Sequence, residues 1–365
     1  MRIACGFLIL VLFIVFSIII GCSREVATNP DQSAPGSHSK DGSYEPAIAD
    51  ITVIDSSEAW AIDRTGTTLY HAHNGASVGK QATDFGISKT LISFVDHQTA
   101  FAFADNVGLA RLWRTTDAGQ SWQRVNDLDQ TVPGFRVTAV HQLHFADGQH
   151  GWLVDGFGVW RTQDGGARWE EVFGMADAGP VKKLLQASFS GSERVMVTTN
   201  QGIYLTVDGG KVWKLTNKNA GFRAIYSLDE HTGWAWSNSV ERTDDGGNTW
   251  RQLYQLKDRI EIFSTQFINK NEGWAAGVEV EESFGSVVRN PSSNAWHGIL
   301  LHTKDGGKNW DRPPMPTDLA FHRVGFSDSK HGWLVGMNRL YRTIDGGITL
   351  DHRIGCTQRP ISFAM

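Results

Sequence analysis

Cysteine is nearly absent: Cys5, Cys22 and Cys356 are the whole complement of 365 residues. Cys5 lies inside an apolar leader and Cys22 at its end, so Cys356 stands alone. No disulfide framework is available, and stability must come from packing. Positive charge is also short. Lys and Arg number 34 against 39 Asp and Glu, a formal net charge of −5. That excludes a general nucleic-acid binder, whose surface would be net basic. Past the leader no helical period of useful length occurs. What the chain does hold is 14 Trp and 39 Gly, a combination that points to an all-β protein with many tight turns and large inter-strand side chains.

The leader has Arg2 followed by the uncharged run Ile3–Ile20, which closes on Gly21-Cys22 before Ser23-Arg24-Glu25 turns polar. A membrane helix or a plain secretory signal would use the same run. The Gly-Cys at its end instead resembles a bacterial lipobox, which implies cleavage after residue 21 and lipid attachment at Cys22. Each reading places the rest of the chain outside the cytoplasm, and acyl chains on one Cys suffice for stable anchoring. The lipobox implies attachment to the cell membrane, or to the outer membrane if the cell has one. Ser23–Glu45 has almost no apolar residues and cannot offset its ordering entropy, so it reads as a flexible tether. The expected division is signal peptide 1–21, lipidated Cys and linker 22–48, folded domain 49–352 and irregular tail 353–365.

Within 49–352 one pattern recurs: an apolar strand, then Thr-x-Asp-x-Gly-x-x-Trp. Its copies are Thr115, Asp117, Gly119 and Trp122; Thr162, Asp164, Gly166 and Trp169; Thr206, Asp208, Gly210 and Trp213; Thr243, Asp245, Gly247 and Trp250; and Thr303, Asp305, Gly307 and Trp310. An eroded sixth has Thr343, Asp345 and Gly347 but Leu350 in place of Trp. A second signal precedes it, as in Phe145-x-Asp147 to Gly151-Trp152, Phe267-x-Asn269 to Gly273-Trp274 and Phe326-x-Asp328 to Gly332-Trp333. With weaker versions at Asp55 to Trp60, Asp96 to Phe101 and Phe189 to Met196, the two signals define seven units: 49–82, 88–127, 137–174, 181–217, 221–256, 260–312 and 318–352. A spacing near forty residues with four short alternating strands per unit predicts a seven-bladed β-propeller of four-stranded antiparallel blades. Closure is expected by packing, with or without the help of a strand from the tail.

In the turn, the second glycine is expected to supply a positive φ, while Asp and Thr accept hydrogen bonds from the turn's own amides. Equivalent positions in different blades point to separate places around a ring, so the repeated acids are expected to be structural. These residues resemble the Asp box, or BNR repeat, of sialidases and other propellers. The added Phe-x-Asp…Gly-Trp signal resembles the photosystem II stability and assembly factor family. That resemblance implies a lumenal or lipid-anchored propeller that scaffolds assembly, is not an enzyme and binds a protein partner. The degenerate first turn, Leu350 and the acidic balance depart from the family pattern.

The alternative is a sialidase-like or other glycan-active or glycan-binding propeller. It would require an arginine triad and an Arg-Ile-Pro element, and the nearest approach, Gly134-Phe135-Arg136-Val137, lacks the Pro. No cofactor and no metal are expected. His71 and His73 share a strand face and make at most half a site, with His141 and His144 near only in sequence. His97, His150, His231 and His331 read as surface turn residues. Candidate partner-binding residues are Arg114, Arg161, Arg242 and Arg342, each preceding the turn Thr. The other reading of these arginines is an exposed strand residue beside an acid. The insertion Val278–His297 adds the candidates Phe284, Arg289 and Trp296, because a long loop on a regular scaffold is a common place for binding.

Overall fold

This computed structural model describes residues 48–352. The short stretches 56–57, 64, 74–76, 84, 86–88, 107, 133–139, 175–182, 220, 257–259, 281–295, 316–319 and 337–338 are not described. Seven separate antiparallel sheets follow one another along the chain, each built from consecutive strands paired in sequence order. Blade one spans residues 48–82, blade two 89–127, blade three 142–173, blade four 184–217, blade five 224–255, blade six 260–303 and blade seven 321–352. Blade six has three strands, and its fourth is reduced to a bridge between His302 and Asp311. A single helical turn, Leu128–Thr131, follows blade two.

The first strands line the middle of the ring, each touching the next, and Ile48–Val53 of blade one meets Phe321–Phe326 of blade seven. Closure is therefore by packing: Trp333 and Val335 of blade seven share a buried cluster with Ile48, Ala59 and Tyr70 of blade one. Among the described residues no strand is exchanged between the two. Neighbouring first strands are also tied by side chains that accept the next blade's amides. Ser93 Oγ accepts from Phe145 N at 2.9 Å, Ser188 Oγ from Ser227 N at 2.7 Å and Ser264 Oγ from Val324 N at 3.2 Å.

The two sequence signals meet at the seams between blades. Trp234, on the second strand of blade five, is fully buried. One face of its indole stacks on Phe267 of blade six at 3.4 Å, and the other lies under Arg242 of its own blade at 5.0 Å. Its Nε1 donates to the Gly306 carbonyl in the Asp turn of blade six at 2.9 Å. Trp274 repeats this between blades six and seven, stacking on Phe326 at 3.8 Å and donating to Gly346 O at 3.1 Å. Such rings combine large apolar burial with a specific geometry and a satisfied N–H.

Glycine before the Trp follows from the same packing. Gly332 pairs with Phe326 across the strands, and a Cβ there would lie 2.5 Å from the Phe326 ring. The ring takes the place a side chain would need.

Candidate interaction surfaces

Up-and-down strands give each blade two ends. One end carries the turn between first and second strands together with the Thr-x-Asp turn. The two are joined by backbone bonds such as Gly165 N to Gln149 O at 2.8 Å and Gly246 N to His231 O at 2.6 Å. The other end carries the turn between second and third strands and the connections between blades.

At the first end the repeated aspartates are engaged by their own turns. Thr162 Oγ1 donates to Asp164 at 2.9 Å and accepts from Gly166 N at 2.9 Å, while Asp164 accepts from Arg168 N at 2.9 Å. The same triad of bonds occurs around Asp117, Asp208, Asp245, Asp305 and Asp345. The Ser121 hydroxyl holds Asp117 down at about 2, and the Thr249 hydroxyl does so for Asp245, also to about 2. Both are ionised acceptors, not proton carriers. Positive φ occurs at both glycine positions, as in Gly165 (71°) and Gly166 (92°), and even at Ala118 (58°). The expectation of one left-handed residue was thus short by one. Trp169, Trp250 and Trp310 each donate to their own second glycine carbonyl at 3.1 Å.

The arginines reach across the seams between blades, and Arg161 and Arg242 also stand beside acids, Glu193 and Asp244. Arg161 is only 3% exposed. It lies over Trp152 at 5.3 Å, donates to Gly209 O at 2.9 Å in the next blade, and pairs with Glu193. Arg242 donates to Lys270 O of blade six at 2.8 Å. Arg114 and Arg342 lie over Phe101 and Trp333 at 5.5 and 5.7 Å. Blade four carries Leu205 at the arginine position, and there Arg194 of its second strand reaches the Gly246 carbonyl of blade five. Arginine suits this place because its planar fork stacks and donates at once.

The second end holds two ion pairs that sequence reasoning missed. Arg223 and Glu261, at the starts of neighbouring first strands, pair at 2.9 Å. They border a shallow depression of about 450 Å³, open mouth included, with Gly221, Trp236 and Asn238. Near the ring's seam Arg323 of blade seven reaches Asp50 of blade one at 3.5 Å. Burial pushes the Asp50 carboxyl up, and Arg323 opposes the shift. A separation of 273 residues hides that pair from any local pattern. The insertion in blade six springs from this end, between Gly273–Val280 and Trp296–Thr303, with Val280 paired to Trp296. Phe284, Arg289, Gly134–Val137, Cys22 and the tail 353–365 lie outside the described residues, as does the Trp296 side chain.

His150 and His331 bond the aspartates of their own turns, Asp147 and Asp328, each at 2.8 Å. His97 does not repeat this geometry. It stands directly after its Asp96 rather than three residues on, and it reaches Glu58 of blade one at 2.6 Å. His144 is pressed against Phe189 at 4.7 Å, and burial pushes its imidazole down to about 4. No helix among the described residues is long and apolar enough to cross a membrane.

No family model matches the chain. Its sequence is similar to photosystem II assembly factors. It is 26% identical over 281 residues to the photosystem II assembly lipoprotein Ycf48 of Synechococcus sp. (strain CC9902), covering 67% of this chain and 81% of that one. It is 22% identical over 257 residues to the chloroplast stability/assembly factor HCF136 of Arabidopsis thaliana, covering 62% of this chain and 57% of that one. The fold matches a solved structure of YCF48 bound to D1 peptide, with a TM-score of 0.61, 16% identity and coverage of 82% and 94%. It also matches the GH74 xyloglucanase of Xanthomonas campestris, with a TM-score of 0.62, 14% identity and coverage of 87% and 54%. The structural likenesses speak to the propeller fold alone.

Proposed function

We propose that this chain is a lipid-anchored, extracytoplasmic propeller that holds a protein partner during assembly of a membrane complex and does no chemistry on it. The observation that carries this reading is the sequence likeness to photosystem II assembly lipoproteins across two thirds of the chain. The repeated acids agree with it, since each is consumed by its own turn. In this reading Cys22 takes the lipid after cleavage behind residue 21. Residues 22–48 tether the propeller, and the turns are Asp boxes of the BNR type. The partner meets the end away from those turns, where the blade-six insertion with Phe284, Arg289 and Trp296 arises. The arginines Arg114, Arg161, Arg242 and Arg342 contribute to holding the blades rather than the partner.

The test is crosslinking in intact membranes followed by identification of what is joined to the chain. One recurrent membrane or envelope protein supports the reading, and no recurrent protein across growth conditions refutes it. Mass spectrometry of the mature N-terminus tests the anchor: an acylated Cys22 is the expected product. The glycan-active alternative draws on the fold shared with a xyloglucanase. Release of sugar from envelope polysaccharide or xyloglucan by the purified chain would establish it.

A further inference from the structure

At the seam of blades one and two, on the end that carries the Thr-x-Asp turns, side chains with metal-ligating atoms converge. Glu58 precedes the strand Ala59–Asp63 and its side chain is 8% exposed. Its Oε1 accepts from Trp60 Nε1 at 2.9 Å and lies 3.0 Å from His71 Nε2. Its Oε2 lies 2.6 Å from His97 Nδ1. Asp55 accepts from the Glu58 amide through Oδ1 at 2.9 Å, while its Oδ2 is 3.9 Å from His97 Nε2. Asp55, Glu58 and His97 each offer an atom within 4.8 Å of the others. His71 adds a second imidazole against the same carboxylate, held by a parallel stack on Trp60 at 3.7 Å.

Blade six supplies an internal control. Glu272 and His302 form the same pair at 3.0 Å, with His302 stacked on Trp274 at 4.5 Å. The pair alone is therefore part of the blade design. What differs is the rest: Asn269 stands where blade one has Asp55, and Ser329 of the following blade stands where blade two has His97. Only the first seam adds a second carboxylate and a second imidazole.

We propose that Asp55, Glu58 and His97 bind one zinc ion that clips blade one to blade two, with His71 holding the far oxygen of Glu58. One imidazole with two carboxylates, the fourth position left to water, suits a borderline cation such as zinc, whereas calcium and magnesium favour more oxygens. A tetrahedral zinc with bonds of roughly 2.0–2.2 Å spaces its donor atoms about 3.3 Å apart. One ligand atom each of Asp55, Glu58 and His97 already lies within 4.8 Å of the other two, so small side-chain rotations reach that spacing. The Trp60 N–H and His71, itself stacked on Trp60, orient the Glu58 carboxylate in advance, as outer partners do in metal sites. His97 at 60% and Asp55 at 45% side-chain exposure leave a path for entry. Zinc takes the place of the proton shared between Glu58 and His97, so binding releases a proton and weakens in acid.

The experiment uses the full chain in detergent without a histidine tag, stripped with chelator and then titrated with zinc. Metal content and melting temperature are the readouts. The expected result is one zinc per chain and a zinc-dependent rise in melting temperature that calcium and magnesium do not reproduce. His97→Ser and Asp55→Asn, which install the residues of the blade six–seven seam, each weaken zinc binding by about tenfold or more. His302→Gln leaves it unchanged. Asp55→Asn keeps the oxygen that caps the Glu58 amide, so it tests the site without depending on a change in folding. A wild-type chain that takes up no zinc, or zinc binding unaltered by both substitutions, overturns the proposal.

Discussion

Arg161→Ala tests how the blades are joined. The guanidinium is buried, stacks on Trp152 and donates to the carbonyl of Gly209 in the next blade. A charge-assisted hydrogen bond to a buried carbonyl contributes about 1.5–3 kcal/mol. The stack on a desolvated indole contributes about 0.5–2 kcal/mol. Truncation also leaves a void along the stem and an unsatisfied carbonyl, so a loss of about 3 kcal/mol is expected. The ion pair with Glu193 is a minor part, because that carboxylate is 49% exposed. Glu193→Gln should therefore cost less than about 1 kcal/mol. Urea unfolding followed by Trp fluorescence gives both values from the shift in midpoint at constant slope. A loss below about 1 kcal/mol for Arg161→Ala, or equal losses for the two variants, would refute the assignment. Unchanged stability with a lost partner would return Arg161 to a surface role.

Four further outcomes follow from the same geometry. Gly332→Ala should destabilise by about 1–3 kcal/mol because the new methyl overlaps Phe326. Gly156→Ala, with no atom within 4 Å of its Cβ, should change melting temperature little. Trp234→Ala should cost about 3–5 kcal/mol in urea unfolding, as it removes the stack, the stem of the seam and a buried N–H bond together. The His144 imidazole titrates near 6.5 when unfolded but at about 4 when folded. Between those values the unfolded chain binds a proton that the folded chain refuses, so stability falls as pH falls through that window. The loss reaches about 3 kcal/mol, and His144→Phe should flatten stability against pH there.

The blades were legible in the sequence because each one is specified locally. Thr, Asp and Gly bond within five residues of one another, and the Phe–Gly pair sits across a single turn, so spacing alone reveals them. Seven units with bounds within a few residues of the sheets could be read off in this way. Relations between blades were not legible. Strand alternation predicts that Arg161 leaves its sheet on one side, but not that the next blade's carbonyls wait there. His97 looked like His150 and His331 until its offset from Asp96 turned it toward another blade. Glu58 carried no signal beyond preceding Trp60, and Asp50 meets Arg323 only because the ring closes. The short fourth strand of blade six was hidden because its turn, Thr303 to Trp310, matches the others.

The proposed function makes the repeated turns architecture and puts recognition at the opposite end. One comparison in crosslinked membranes tests it: the amount of partner joined to the wild-type chain, to Asp208→Asn, and to a chain with residues 281–295 replaced by a Gly-Ser linker. The partner should be kept by Asp208→Asn and lost when the insertion is replaced. Loss with Asp208→Asn in a folded chain, with full retention after loop replacement, would contradict it.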